Sequence, residues 1–167
     1  EQELHRQFYA AHDIPILGEI EGNASAEAGD TLWLDDKTLI IGRGFRTNTC
    51  GAEQIMNLVA PLGIDCHIFD LPCYHGSDSC LHLMSLISMV DTRTALIYQP
   101  LLPVGLLRLL IERNIGLISA PDREFEESNT LSTNVLALSP GNCLMLAGNK
   151  ILVLQNYITL QKVTKII

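Results

Sequence analysis

Two short runs of apolar residues near the start of the chain are separated by a polar turn. Residues 31–34 and 38–41 are rich in Thr, Leu and Ile, and the turn between them reads Asp35-Asp36-Lys37. This composition is typical of β-strands, and the charged break predicts a hairpin. The preceding residues, 1–11, are predicted to form a short helix that leads into a connector.

A helical pattern and a further strand follow the hairpin. Ile55, Leu58 and Val59 recur at helical spacing, and Gly63 stands where a helix C-cap belongs. Residues 66–71 then return to a strand pattern that ends at a proline. The first unit is therefore predicted to run strand, strand, helix, strand.

The same order of elements returns further along the chain. The pattern predicts strands at residues 81–90, 95–98 and 116–119, with a helix at about 104–113. It begins again with strands at 134–138 and 143–146, and it degrades after residue 148. An internal repeat of roughly 50 residues indicates an α/β protein whose similar units pack around something shared.

Composition narrows the class of protein. At 167 residues, with 47% apolar and 18% charged residues, the chain is expected to form a domain with its own core. A net charge of −8 without a basic run argues against a nucleic-acid partner, and no apolar stretch is long enough for a membrane span. Five cysteines without framework spacing favour a cytoplasmic protein, and Glu rather than Met at position 1 suggests trimming at the start.

A candidate site precedes the first predicted strand. Glu27-Ala-Gly-Asp30 places two carboxylates beside a corner of small residues, from which both could point into one pocket. Acids beside glycine are also common in solvated turns, so this motif alone does not decide between the two interpretations.

Longer blocks resemble a known family. The run Glu27-Ala-Gly-Asp-Thr-Leu-Trp-Leu-Asp-Asp-Lys-Thr-Leu-Ile-Ile-Gly-Arg-Gly-Phe-Arg-Thr-Asn48, followed by Gly51, Gln54 and Ile55, is similar to the signature of the guanidino-group-modifying enzymes, or penteins. The block Cys80-Leu-His-Leu-Met-Ser85 resembles the stretch that holds their histidine. Similarity continues from Pro121 to Asn149, and it is closest to dimethylarginine dimethylaminohydrolase-like and amidinotransferase-like members.

The resemblance implies a fold and an activity. The fold would be an α/β-propeller of repeated ββαβ units, of which this chain holds about two and a half of five. The chain would be a single partial domain, 1–167, with units at about 27–72, 80–121 and 133–167. The implied enzyme is a cysteine-dependent hydrolase or amidinotransferase that acts on an arginine-like substrate and uses no cofactor.

The resemblance also implies roles for individual residues. Glu27 would bind the substrate guanidinium, and His82 would transfer protons as the leaving group departs. Arg46 would grip a substrate carboxylate, and Asp30 would assist substrate binding or orient His82. Because each unit carries its residue near its beginning, Glu27 and His82 are expected to meet at one cleft with Arg46 at the rim.

Three positions depart from the family pattern. Ala28 replaces the middle glycine of the acidic motif, and Met84 stands where deiminases and amidinotransferases carry an aspartate. The family's nucleophilic cysteine, expected near the C-terminus, is not found in this chain after Cys143. Cys80 is a possible substitute, but neighbours on one face of a strand seldom make the hydrogen bond to a histidine, here His82, that a nucleophilic cysteine requires.

Two other functions are compatible with the sequence. A metal site could use the cysteines and histidines crowded between residues 66 and 82, although their spacing fits no zinc finger or ribbon. A catalytically inactive module could keep the pocket only to bind a guanidino ligand. A homo-oligomer or a complementing chain segment could complete the incomplete set of units.

Overall fold

The structure is a computed structural model that describes residues 2–79, 81–127, 134–139 and 142–146. Its helices are α1 (Gln2–Ala11), α2 (Thr49–Val59), α3 (Val104–Glu112) and α4 (Asp122–Glu127). Its strands are β1 (Thr31–Asp35), β2 (Thr38–Arg43), β3 (Asp65–Asp70), β4 (Ile87–Asp91), β5 (Thr94–Ile97), β6 (Gly116–Ser119), β7 (Asn134–Ser139) and β8 (Asn142–Leu146).

The first unit has the predicted order. Strands β1 and β2 form an antiparallel hairpin, and β3 returns after α2 to pair in parallel with β2. The Asp35 carboxylate accepts the backbone N–H of Lys37 at 2.9 Å, and this hydrogen bond closes the two-residue turn. The same hydrogen bond is the largest cause of the lowered pKa of Asp35. Helix α2 covers one face of the sheet through Ala52, Ile55 and Val59. The predicted hairpin, helix and strand are confirmed.

The second unit repeats this arrangement, with one correction. Strands β4 and β5 form the hairpin, and β6 pairs in parallel with β5 after α3. The prediction of a strand over all of 81–90 was wrong, because the strand begins only at Ile87 and Leu83–Ser85 form a 3₁₀ turn. Leu81 and Leu83 are buried and Met84 is exposed, so residues 81–84 alternate as a strand would although they do not form one.

A third hairpin, β7 and β8, lies where the sequence predicts one. The remainder of the predicted third unit, residues 147–167, lies outside the described residues. Helix α4 was not predicted, and its Asp122 accepts a hydrogen bond from the hydroxyl of the buried Tyr98 at 3.2 Å.

The two complete units share one hydrophobic core. Leu34 and Ile40 of the first unit belong to the same buried cluster as Leu83, Ile97 and Leu106 of the second. The strands nevertheless form separate three-stranded sheets rather than a single open sheet. Arg113, after α3, also joins the units by donating to the Asp35 carboxylate and the Thr38 hydroxyl at 3.0 and 2.8 Å.

Left-handed residues end three of the helices. Asp13 follows α1 with φ 53°, Gly63 follows α2 and its 3₁₀ extension with φ 71°, and Asn114 follows α3 with φ 55°. Glycine and asparagine tolerate this conformation best, and it releases the chain into the next extended segment. None of the helices in the described part of the chain has the length and apolar composition of a membrane span.

Candidate functional site

Residues 21–27, called the strap below, end at Glu27 and position it. Hydrogen bonds attach this segment to the start of α2. Asn48 is the N-cap of α2, and its Oδ1 accepts the backbone N–H groups of Gly51 and Ser25 at 2.8 and 3.2 Å. Its Nδ2 donates to the Asn23 carbonyl at 2.8 Å. A methyl group at Gly51 would lie 1.9 Å from the Ser25 carbonyl oxygen, so only glycine permits this close approach.

Gln54 fixes the other end of the strap. Its side-chain amide accepts the Glu21 N–H at 2.9 Å and donates to the Glu21 carbonyl at 3.1 Å. Both backbone groups of an extended residue are thereby satisfied by one side chain on α2. The strap therefore behaves as part of the rigid unit rather than as a free loop.

Asp30 occupies the buried centre of the site. Its side chain is 1% exposed and accepts three hydrogen bonds. Oδ2 accepts from the Thr47 hydroxyl at 2.7 Å, whereas Oδ1 accepts from the Leu83 backbone N–H at 3.1 Å and from the ring of His82 at 3.2 Å. Because Leu83 and His82 belong to the second unit, this one carboxylate joins the two units.

The contact with Asp30 determines which nitrogen of His82 is available. An ionised carboxylate only accepts hydrogen bonds, so Nδ1 of His82 carries the proton that it donates to Asp30. Nε2 then faces Glu27, whose Oε2 lies 3.4 Å away. The His82 side chain is 19% exposed and that of Glu27 is 45% exposed, so the pair stands at the boundary between core and solvent.

Thr47 connects the two acids through its hydroxyl. The buried Oγ1 accepts the backbone N–H of Glu27 at 3.1 Å and donates to Asp30 at 2.7 Å. The Thr47 carbonyl accepts the Gly44 N–H at 2.9 Å, which closes the loop after β2. The carboxylate that supports His82 and the backbone that presents Glu27 are thus held by the same side chain.

Arg46 lies on the solvent side of this cluster. Its guanidinium is 3.5 Å from Oε1 of Glu27, and both side chains are 45% exposed. They border a cavity of about 430 Å³ that extends towards α1. The guanidinium of Arg46 shows that Glu27 can pair with a planar cation from this side.

One departure from the family pattern, Ala28, has a structural explanation. Ala28 is exposed in the 3₁₀ turn Ala28–Asp30, so its methyl group meets no obstacle. A methyl group at Gly29 would instead lie 2.9 Å from the sulfur of Met84 and 3.1 Å from the ring of His82. The motif therefore depends on Gly29, which lets the turn approach His82 closely, and not on the glycine that Ala28 replaces.

The structure brings together Glu27, Asp30, Arg46 and His82, and the expected proximity of Glu27 to His82 is observed. Asp30, expected near the substrate or behind His82, is buried behind His82. Sequence reasoning assigned no role to Thr47, although it stands between Arg46 and Asn48 in the recognised signature. The backbone N–H of Leu83 had no sequence signal, because any residue supplies one.

The described cysteines and histidines form no second centre. No group of three or more possible metal ligands occurs among the residues that the structure describes. Cys50 and Cys73 are exposed, and Cys66 is partly buried. Burial and, to a smaller extent, the charge of Asp65 raise the pKa of the Cys66 thiol. Cys80, considered as a substitute nucleophile, lies outside the described residues.

The chain is similar to known proteins in sequence and in fold. The sequence model of the arginine deiminase family matches residues 1–114. No curated protein sequence matches the chain. Among solved structures, dimethylarginine dimethylaminohydrolase from Pseudomonas aeruginosa, a cysteine-to-serine mutant complexed with citrulline, has a TM-score of 0.64 and 21% identity over 87% of this chain and 48% of that one.

Two further structures show the same fold. A dimethylarginine dimethylaminohydrolase with histidine replaced by glycine, as an adduct with S-methyl-L-thiocitrulline, has a TM-score of 0.64 and 20% identity over 87% of this chain and 48% of that one. SxtG, an amidinotransferase from Microseira wollei in the saxitoxin biosynthetic pathway, has a TM-score of 0.50 and 15% identity over 83% and 42%. The chain therefore has their α/β fold and spans about half the length of the structures it matches.

Proposed function

Because the chain belongs to the arginine deiminase family, we propose that it supplies the guanidinium-binding and proton-transfer residues of an enzyme that cleaves a C–N bond in an arginine-like compound. The observation that supports this most is the contact of 3.4 Å between His82 and Glu27, with Asp30 buried behind the histidine. Similar structures contain citrulline and S-methyl-L-thiocitrulline, which also supports an arginine-like ligand.

Glu27 is the proposed acceptor for the substrate guanidinium. A guanidinium is planar and permanently charged, so a carboxylate that accepts its N–H groups both binds and orients it. Arg46 now makes this kind of ion pair with Glu27 at 3.5 Å. A substrate guanidinium would replace Arg46 at Glu27, and the released Arg46 would then be free to pair with the substrate carboxylate.

His82 is the proposed acid and base. Nε2 of His82 would first take the proton of the nucleophilic thiol, and the resulting thiolate would attack the amidino carbon. As the C–N bond breaks, the departing amine would take this proton from Nε2. In a hydrolase, Nε2 would then take a proton from water as the water oxygen bonds to the amidino carbon and the C–S bond breaks. In an amidinotransferase an amine would replace water. No cysteine of this chain is assigned as the nucleophile, and the proposed chemistry requires no metal or organic cofactor.

Asp30 is proposed to orient His82 rather than to contact the substrate. Its side chain is 1% exposed, and both carboxylate oxygens already accept hydrogen bonds from the protein. A carboxylate on Nδ1 keeps Nε2 available and favours the imidazolium that forms during proton transfer.

The units are proposed to belong to a five-unit α/β-propeller, of which residues 1–167 form a single partial domain. Two features support this proposal. The described units form separate sheets with the same ββαβ order, and a core cluster lies between them. Residues of adjacent units also meet at the site, as expected if a rotation relates the units.

Ligand binding by the chain tests this proposal directly. Calorimetric titration with L-arginine, N,N-dimethylarginine and citrulline should show binding of the two guanidinium compounds. Glu27→Gln removes the charge at the proposed acceptor, and it should weaken their binding about tenfold or more, because a charge-assisted hydrogen bond contributes about 1.5–3 kcal/mol. The matched control is Asp36→Asn, which makes the same charge change in the exposed β1–β2 turn.

The outcomes separate the candidate functions. If Glu27→Gln and Asp36→Asn weaken ligand binding equally, the effect of Glu27 comes only from the net charge of the protein. That result would overturn the assignment of Glu27 as the guanidinium acceptor. Failure of every guanidino compound to bind would overturn the proposed substrate class. Binding without release of citrulline, ammonia or alkylamine, when the chain is assayed with an added thiol, would favour the inactive binding module.

A further inference from the structure

Thr47 is fully buried, and its backbone is fixed on both sides. Its carbonyl accepts the N–H of Gly44 at 2.9 Å, and the next residue, Asn48, donates its backbone N–H to the Ser25 carbonyl at 3.1 Å. Asn48 is also the N-cap of α2. The Thr47 hydroxyl therefore stands on a rigid support that belongs to the first unit.

The hydrogen bonds of the Thr47 hydroxyl can run in only one direction. A backbone N–H only donates, so Oγ1 accepts from Glu27 at 3.1 Å. The single hydroxyl proton is then donated to Oδ2 of Asp30 at 2.7 Å. Oδ1 of the same carboxylate accepts from the Leu83 N–H at 3.1 Å and from the ring of His82 at 3.2 Å. A continuous chain of hydrogen bonds thus runs from the backbone of Glu27 through Thr47 and Asp30 to the ring of His82.

The direct contact between His82 and Glu27 is much weaker than this buried chain. Nε2 and Oε2 are 3.4 Å apart, which is long for a hydrogen bond, and the Glu27 side chain is 45% exposed. Exposed ion pairs contribute little to holding two side chains in one geometry. The relative position of His82 and Glu27 is therefore set by the buried hydrogen bonds and not by their own contact.

Asp30 alone does not fix the ring of His82. A carboxylate can turn about the bond to its Cβ, because this torsion has a broad range. Among the described hydrogen bonds, Oδ2 accepts only from Thr47. This donor holds the carboxylate in the plane that directs Oδ1 towards His82 and Leu83. Without the hydroxyl the carboxylate could turn, and the ring N–H would lose its fixed acceptor.

We propose that Thr47 is a positioning residue for the proton transfer assigned to His82. Through Asp30 it keeps a proton on Nδ1 of His82, and through the Glu27 N–H it keeps the Glu27 carboxylate beside Nε2. Because it is fully buried, Thr47 acts through these residues and not by contact with a ligand. Its purpose rests on the proposed function, whereas the arrangement of hydrogen bonds is independent of any ligand.

Nuclear magnetic resonance of protein labelled at its histidine ring nitrogens tests this arrangement without a ligand. A ring proton held between Nδ1 and a buried carboxylate exchanges slowly with water and gives a separate resonance, which His82→Asn assigns by its absence. We expect this resonance on Nδ1 in the unsubstituted protein and in Thr47→Ser, which keeps the hydroxyl. Thr47→Val keeps the size of the side chain but removes the donor, and it should lose the resonance at pH 7.

Two further variants make the result specific. Thr31→Val makes the same change one residue after Asp30, where the hydroxyl donates to the Ala28 carbonyl at 2.9 Å in an exposed position, and it should keep the resonance. Thr47→Cys offers a weaker donor and decides the question if Thr47→Val does not fold, because its His82 proton should exchange faster than that of Thr47→Ser. A protected His82 proton in folded Thr47→Val, or equal exchange rates in Thr47→Cys and Thr47→Ser, would overturn the inference.

Calorimetric titration with L-arginine separates this inference from the proposed function. Binding to Thr47→Val should be about fivefold weaker or more, since a displacement of about 1 Å can cost about 10²-fold in a positioned site. Thr47→Ser should bind as the unsubstituted protein does, and equal binding by the valine and serine variants would overturn the positioning of Glu27. If arginine does not bind even the unsubstituted protein, the proposed substrate class is wrong, and the His82 resonance still decides the role of Thr47.

Discussion

The hydroxyl of Thr47 should contribute measurably to stability, because it is buried and makes both of its hydrogen bonds at the candidate site. Thr47→Val keeps the size and branching of the side chain but removes the donor to Asp30 at 2.7 Å and the acceptor for the Glu27 N–H at 3.1 Å. A lost hydrogen bond to a buried charged group costs about 1.5–3 kcal/mol, and a lost neutral one about 0.5–1.5 kcal/mol. Partial rearrangement of the strap reduces the sum, so we expect a loss of about 2–3 kcal/mol.

Urea unfolding monitored by circular dichroism at pH 7 measures this loss as a change in the free energy of unfolding. Thr31→Val is the matched control, because the Thr31 hydroxyl donates to the Ala28 carbonyl at 2.9 Å in an exposed position. Its cost should stay within about 0.5 kcal/mol. Thr47→Ser restores the hydroxyl and should recover most of the lost stability. If Thr47→Val and Thr31→Val lower the free energy of unfolding by equally small amounts, the hydrogen bonds of the Thr47 hydroxyl do not stabilise the fold as argued.

Two further predictions concern the strap and the buried Tyr98. Gly51→Ala should lower the free energy of unfolding by more than about 2 kcal/mol, because the new methyl group would lie 1.9 Å from the Ser25 carbonyl oxygen. In the control Gly44→Ala the nearest atom would be 3.5 Å away, so the change should be less than about 1 kcal/mol. Equal effects of the two substitutions in urea unfolding would contradict this prediction. Burial, followed by the hydrogen bond to Asp122, raises the pKa of Tyr98 to about 12, so the folded state favours the neutral phenol. This contribution to stability is fully present below the ordinary tyrosine pKa of 10.0 and is lost as pH rises towards about 12. The urea concentration at the midpoint of unfolding should therefore fall with pH over this range, and it should fall less steeply in Tyr98→Phe. An equally steep fall in the variant would refute the assignment.

Much of the fold could be predicted because local chemistry determines it. The Asp35 turn, the helical spacing of Ile55 and Val59 and the left-handed Gly63 each carry a signal that does not depend on distant residues. The segment 81–86 was mispredicted because Leu81 and Leu83, which belong to a core made by two units, alternate with the more exposed His82 and Met84 as they would on a strand. The 3₁₀ turn at Leu83–Ser85 leaves no mark in this local pattern.

The candidate site was predictable only where a side chain carries distinctive chemistry. Glu27, Asp30, Arg46 and His82 are ionisable residues within recognisable motifs, so they could be selected from the sequence. The burial of Asp30 and the linking role of Thr47 depend on contacts between residues 17 to 53 positions apart in the chain. Only the folded arrangement of two units shows them.

The position of Asp30 at the boundary between units has an evolutionary consequence. The acid comes from one repeat and the histidine that it supports comes from the next, 52 positions further along the chain. A solitary ancestral repeat could therefore not have contained this acid–histidine pair, even if it had carried both residue types. The pair could form only where two repeats stood side by side, either as separate associated copies or joined in one chain.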